Sequence, residues 1–135
     1  MTPDEIRQFV DDLYEATGTG DWERASAMLT DDLVITEDAG LPMAGEYRGN
    51  DALQRLYIDV MGMLDVAALD RVETTVGGNY AVTILTMRFA DPALEPADLC
   101  EMFEFRDGKC CRIKPYYYNP SAICAAAEAK AKANA

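Results

Sequence analysis

Apolar positions along the chain switch between two periods, and the switches mark its elements. In "TPDEIRQFVDDLYEATGTGD", Ile6, Phe9, Val10, Leu13 and Thr17 share one face at helical spacing, which predicts an amphipathic helix. Thr2 stands three residues before Glu5, a capping-box spacing, and Pro3 takes the first helical position; Gly18 and Gly20 end the stretch. Asp21 caps a second, short helix, "WERASAML". The period then drops to two: "DDLVITED" alternates as a strand with Leu33, Ile35 and Glu37 on one face. A loop with Gly40, Pro42 and Gly45 follows, and Asn50 or Asp51 caps a third helix to about Leu64. Two hairpins complete the pattern. "RVETTV" and "YAVTILTMRF" are joined by Gly77-Gly78-Asn79, and "LCEMFEFRDGKCCRIKPYYY" turns at Asp107-Gly108. The Ala-rich tail "AICAAAEAKAKANA" predicts a terminal helix. The order α-α-β-α-β-β-β-β reads as one α+β domain over residues 1–120 with a helical tail over 121–135. Helices should cover one face of a curved, mostly antiparallel sheet.

Three consecutive tyrosines close the last strand and cannot share a face. A three-residue loop at "RDG", with Gly108 left-handed, sets Phe105 opposite Lys109 and Glu101 opposite Ile113. Ile113, Pro115 and Tyr117 then share the Glu101 face, while Arg112, Lys114, Tyr116 and Tyr118 point outward. A two-residue Asp-Gly turn would send Arg112 and Lys114 inward among phenylalanines, at a desolvation cost of several kcal/mol. Two outward aromatics are more than a solvated face needs, which fits a homodimer interface through Tyr116 and Tyr118.

Composition narrows the chemistry. The chain has 135 residues, enough for a real core, and a net charge of −12. That charge argues against nucleic acid or an anionic membrane as partner, and weakly against a strongly anionic substrate. The N-terminus does not read as a signal peptide, so the cytoplasm is the expected location. Cys100, Cys110, Cys111 and Cys124 lack metal spacing and read as reduced structural thiols. There is no histidine, which excludes Ser-His and Cys-His nucleophiles and the usual zinc sites. No Gly-rich phosphate loop follows a strand, so no cofactor is implied. Acid–base chemistry here falls to carboxylates, tyrosine, lysine or water.

The order of elements, with "YEATGTGDWERASAMLTDD", "YRGNDALQRLY" and "EMFEFRDGKCCRIKPYYYNP", resembles the nuclear transport factor 2-like superfamily, in its SnoaL-like and ketosteroid isomerase-like branch. The resemblance covers nearly all of the chain except the tail. It implies a cone-shaped barrel, a curved sheet wrapped on the N-terminal helices around one apolar pocket, and often a homodimer. It places the isomerase base on Glu37 and a second, protonated acid on Glu101, a role for which ketosteroid isomerase is the known case. Tyr57 matches a supporting tyrosine and equally suits a core position. The principal oxyanion tyrosine falls on Leu13; Tyr14 is rotated from it by about 100° and should miss that spot, so steroid isomerisation itself is not expected. The acid that closes the cyclase and epoxide-hydrolase patterns has no counterpart in "KPYYYN". Arg88 shares parity with Val82, Ile84 and Thr86 and could instead join Glu37 and Glu101 in an acid–base–acid set.

The expectation is a small hydrophobic, carbonyl-bearing ligand in a pocket lined by Leu33, Ile35, Tyr57, Ile84, Arg88, Phe103, Phe105 and Ile113. Glu37 would abstract a proton while Glu101 and Tyr117 donate to the enolate oxygen. The rival expectation is a non-catalytic ligand-binding or dimerisation module whose acids are structural.

Overall fold

A computed structural model describes all residues 1–135. Helix α1 spans Pro3–Gly18, and its N-terminus carries the capping box in full: Glu5 N–H donates to Thr2 Oγ1 and Thr2 N–H to the Glu5 carboxylate. Helix α2 (Trp22–Ala27) starts at Asp21, whose carboxylate accepts from Arg24 N–H. Strand β1 (Leu29–Glu37) is followed by β2 (Gly45–Arg48), a short antiparallel partner inside the expected loop. Helix α3 runs Ala52–Met63, then β3 (Val66–Gly77), β4 (Tyr80–Phe89), β5 (Ala97–Arg106), β6 (Lys109–Tyr117) and α4 (Pro120–Ala133). The six strands form one curved, unclosed sheet in the order β2-β1-β6-β5-β4-β3. Only β1–β6 is parallel.

Ile6, Val10, Leu13 and Ala16 of α1 pack into the concave face of the sheet, in one core with Leu33, Ile35, Leu85, Phe103 and Ile113. Helix α4 joins that core through Ala122, Ile123 and Ala126. Small side chains let it lie close to its neighbours, and the Lys130 ammonium donates to Met61 O on α3 at 2.9 Å.

The last hairpin reaches the expected facing by a different device. Arg106 pairs with Lys109, leaving a two-residue Asp107-Gly108 turn with positive φ at both residues. That geometry matches strand twist, but alone it would turn Arg112 inward. Cys111 prevents this. Phe105 pairs with Cys110 and Glu104 with Arg112, so Cys111 is an unpaired extra residue, a β-bulge. Beyond it Phe103 faces Ile113 and Glu101 faces Pro115, not Ile113 as expected. Ile113 and Pro115 are buried, Tyr117 is half-buried, and Arg112 and Tyr116 are exposed.

Strand β4 corrects a second expectation. Ala81, Thr83, Leu85, Met87 and Phe89 are buried, while Ile84 and Arg88 are exposed. Both parities of β4 carry apolar residues, so alternation alone was ambiguous. The chosen parity buries Leu85, Met87 and Phe89 and leaves the Arg88 guanidinium hydrated.

Candidate active site

Between α1, α3 and the concave sheet lies a cavity of about 120 Å³, room for a cluster of waters or a compact ligand, since one water needs roughly 10–15 Å³ of such space. Fifteen of its 18 lining residues are hydrophobic. The exceptions are Thr17, Glu37 and Glu101, and no lysine or arginine is among the 18. Three tyrosines, Tyr14, Tyr57 and Tyr117, add hydroxyl-bearing rings to the wall.

Glu37 ends β1, where strand alternation carries on from the buried Leu33 and Ile35. Its residue is 6 % exposed, and Oε2 is enclosed without a hydrogen-bond partner. Burial, with the charge of Glu101 second, pushes its carboxyl up to about 8. Asp38 takes the opposite side, exposed, and accepts from Gly40 N–H at 2.7 Å.

Glu101 occupies the middle of β5, between Leu99 and Phe103 on the inner face. The Tyr14 hydroxyl donates to its Oε1. Burial raises Glu101 as well, but this hydrogen bond opposes the rise, because it favours the ionised form. Tyr14 is raised by burial, then by the Glu101 charge and the same bond. Its ring stands edge-on to Phe103 at 5.9 Å, under the Arg71 guanidinium at 4.8 Å. Tyr117 is raised by burial, then by Glu37 and Glu101. Its ring lines the cavity with both acids.

Phe103, Ile113 and Tyr57 line the cavity, Tyr57 also standing edge-on to Trp22 at 5.2 Å. Leu33, Ile35 and Phe105 do not: they are core residues beneath it, and Phe105 packs edge-on against Phe9 at 5.1 Å. Ile84 and Arg88 are on the convex face. Arg88 Nε donates to Asp70 Oδ2 at 2.6 Å, so no acid–base–acid set with Glu37 and Glu101 exists. Tyr14 reaches the site although the resemblance aligned Leu13 there. Both residues line the cavity, because α1 lies along it and a tyrosine's length spans the offset. The signal was present in the sequence: Tyr14 stands four residues after Val10 and three before Thr17, on the edge of the apolar stripe.

No cluster of three or more His, Cys, Asp or Glu side chains is arranged to hold a metal ion. No helix is long and apolar enough to cross a membrane.

Helices packed in the concave face of a curved sheet, around an apolar acid-bearing cavity, define a nuclear transport factor 2-like α+β protein. Residues 10–113 match the family model of the SnoaL-like domain, and the chain belongs to that family. Among solved structures it is similar to a nuclear transport factor 2-like protein from Burkholderia xenovorans, with 24% identity over 94% of this chain and 98% of that one and a TM-score of 0.80. It is also similar to TerC co-crystallised with polyporic acid, with 17% identity, 92% and 98% coverage and a TM-score of 0.78. A third is a candidate ketosteroid isomerase from Kribbella flavida, with 18% identity, 85% and 78% coverage and a TM-score of 0.68. No curated protein sequence matches the chain.

Proposed function

We propose that this SnoaL-like protein binds a small, mostly apolar, carbonyl-bearing molecule in its cavity and moves a proton on it without a cofactor, as an isomerase, cyclase or dehydratase does. The observation that carries this is the carboxyl pair. Glu37 and Glu101 share one apolar cavity with no cation on its wall, so they hold one negative charge between them more readily than two. Tyr14 donates to Glu101, whereas Glu37 Oε2 has no partner. The charge therefore rests on Glu101 and the proton on Glu37. Glu101 is then the base that takes a proton beside the carbonyl. Glu37, as a neutral acid, donates to the oxygen where charge develops, with the Tyr117 hydroxyl beside it. These roles are exchanged relative to those the resemblance implied, because the hydrogen bond goes to the other acid. The co-crystallised ligand of TerC supports a small organic occupant.

The test is α-carbon exchange on a simple ketone probe, 2-tetralone, followed by NMR in heavy water at neutral pH. Exchange above buffer background, lost in both Glu37→Gln and Glu101→Gln, is the expected result. Binding of the ketone without any exchange would leave a non-catalytic binding module instead.

We also propose that the chain forms a homodimer through the convex face. There Ile84, Cys100 and Tyr116 stand side by side across β4, β5 and β6. Ile84, Tyr116 and the following Tyr118 are 42%, 53% and 86% exposed in the single chain, more apolar surface than a solvated sheet face requires.

A further inference from the structure

Strand β3 carries a β-bulge beside the site. Leu69 pairs with Met87 and Arg71 with Leu85, but Glu73 pairs with Ile84 and Thr74 with Thr83, so Val72 is an unpaired extra residue. Met87, Leu85 and Thr83 are the buried, inner residues of β4, and directly paired residues share a face. Leu69, Arg71 and Thr74 therefore all face the concave side. Without the bulge, alternation from Thr74 would bring Val72 inward and turn Arg71 and Leu69 out. The bulge leaves an apolar valine exposed and sets an arginine toward the site.

Arg71 does not line the cavity. It meets the wall from outside, with its guanidinium carbon 4.8 Å from the centre of the Tyr14 ring and Nη1 2.9 Å from Asp11 Oδ1. Asp11 and Tyr14 stand three residues apart on α1 and so are neighbours on its surface; the carboxylate holds the guanidinium over the ring. The Arg71 side chain is 38% exposed, so solvent screens its field on the ring only in part. A cation over a phenol ring draws on its electron density and makes the hydroxyl a stronger donor. That hydroxyl donates to Glu101 Oε1. We infer that Arg71 is a positioning residue: held by Asp11, it strengthens the Tyr14 hydroxyl as a donor and so keeps the negative charge of the carboxyl pair on Glu101 and not on Glu37. This rests on the proton-transfer reading above.

The other charged and titratable groups nearby do not make this choice. Glu37 is the second member of the pair, and Tyr117 lines the cavity with both acids. The Cys110 thiol, pushed up to about 12 by burial, stays neutral. Around Arg71, Asp70 is engaged by Arg88 at 2.6 Å and Arg7 by Asp4 at 3.3 Å. Glu73 accepts from Thr74 N–H at 3.0 Å. Arg71 bears on one acid of the pair, because the ring beneath it donates to Glu101 and not to Glu37.

Carbon-13 NMR titration of the glutamate side-chain carboxyls tests this, with Glu37→Gln and Glu101→Gln supplying the assignments. Arg71→Gln keeps a donor to Asp11 and removes the charge; Arg71→Met keeps the apolar stem and removes both. In each, the Glu101 midpoint should rise by roughly half a pH unit, the scale of one cation–π contact. An unchanged midpoint in either folded variant overturns the inference. The same substitutions made in Tyr14→Phe separate the route from the charge. With the hydroxyl gone, the rise caused by losing Arg71 should shrink to less than half. An equal rise in both backgrounds would mean that the cation acts on Glu101 directly, and overturns the positioning role. A wild type with Glu101 neutral and Glu37 ionised at neutral pH would instead overturn the acid–base roles, and this inference with them, before any Arg71 variant is compared.

Discussion

A carboxyl in an apolar cavity is defined by what donates to it, and in that respect Glu37 and Glu101 differ. Both are raised by burial, yet one accepts from Tyr14 and the other has an enclosed oxygen without a partner. Neither meets a cation. Arg88, the one base that the strand pattern offered, pairs with Asp70 on the convex face. Glu101→Gln therefore strands no buried arginine, and Tyr14 can donate to the amide oxygen as it does to the carboxylate. Its thermal melt at neutral pH should stay close to that of wild type, within about 1 kcal/mol, whereas breaking a buried ion pair costs roughly 3–5 kcal/mol. A fall of many degrees would show a buried partner that this account lacks.

At the level of elements, the hairpin β5–β6 delivers Tyr117 to the cavity, and a single extra residue decides the delivery. The two-residue Asp107-Gly108 turn and the Cys111 bulge cancel, leaving Ile113, Pro115 and Tyr117 inward. Deleting Cys111 should give an unbulged hairpin with the same inward set, so the protein should fold with a loss of roughly 1–2 kcal/mol. Deleting Lys114, further along the strand, forces either Arg112 inward and Ile113 outward or a new bulge near the site, at a cost of at least about 4 kcal/mol. Denaturant unfolding of the two deletions compares them directly; equal losses would mean that the bulge does not set the facing. The same hairpin shows what the sequence could tell. The outcome, cations out and Tyr117 in, was legible because desolvation of Arg112 and Lys114 excludes the alternative. The device was not, because turn type and bulge are two solutions to one parity constraint. The facing of strand β4 was not legible for a related reason: Val82 and Ile84 on one parity and Leu85 and Met87 on the other balance each other, and only the whole core breaks the tie. Tyr14 was not legible as a site residue because one residue of offset rotates a helical side chain by about 100°, while the reach of a long side chain, which closes that gap, leaves no mark on spacing. The helices, by contrast, announced themselves through caps at Thr2 and Asp21 that the structure bears out.

For the whole molecule two consequences follow. The convex face that carries Ile84, Tyr116 and Tyr118 should pair with its copy, burying about 800 Å² on each partner. Analytical ultracentrifugation at tens of micromolar should give a dimer, and Tyr116→Lys with Ile84→Lys a monomer. A monomeric wild type would remove the interface. The second consequence reaches the central claim, that the cavity holds Glu37 as an uncharged acid. Burial, with the Glu101 charge second, pushes its carboxyl up to about 8 in the folded chain from an ordinary value of 4.5. Between those values the native state keeps a proton that the unfolded chain releases. This contribution to stability is complete below the unfolded value and is lost as pH rises through about 8. Other acids titrate too, so the decisive quantity is the difference between wild type and Glu37→Gln, followed by denaturant unfolding from acid pH to beyond pH 8. Wild type should lose stability relative to Glu37→Gln by on the order of 5 kcal/mol across that span, with the loss ending above about pH 8. Parallel curves for the two proteins would mean that Glu37 is ionised like a surface carboxylate, and would contradict the site described here.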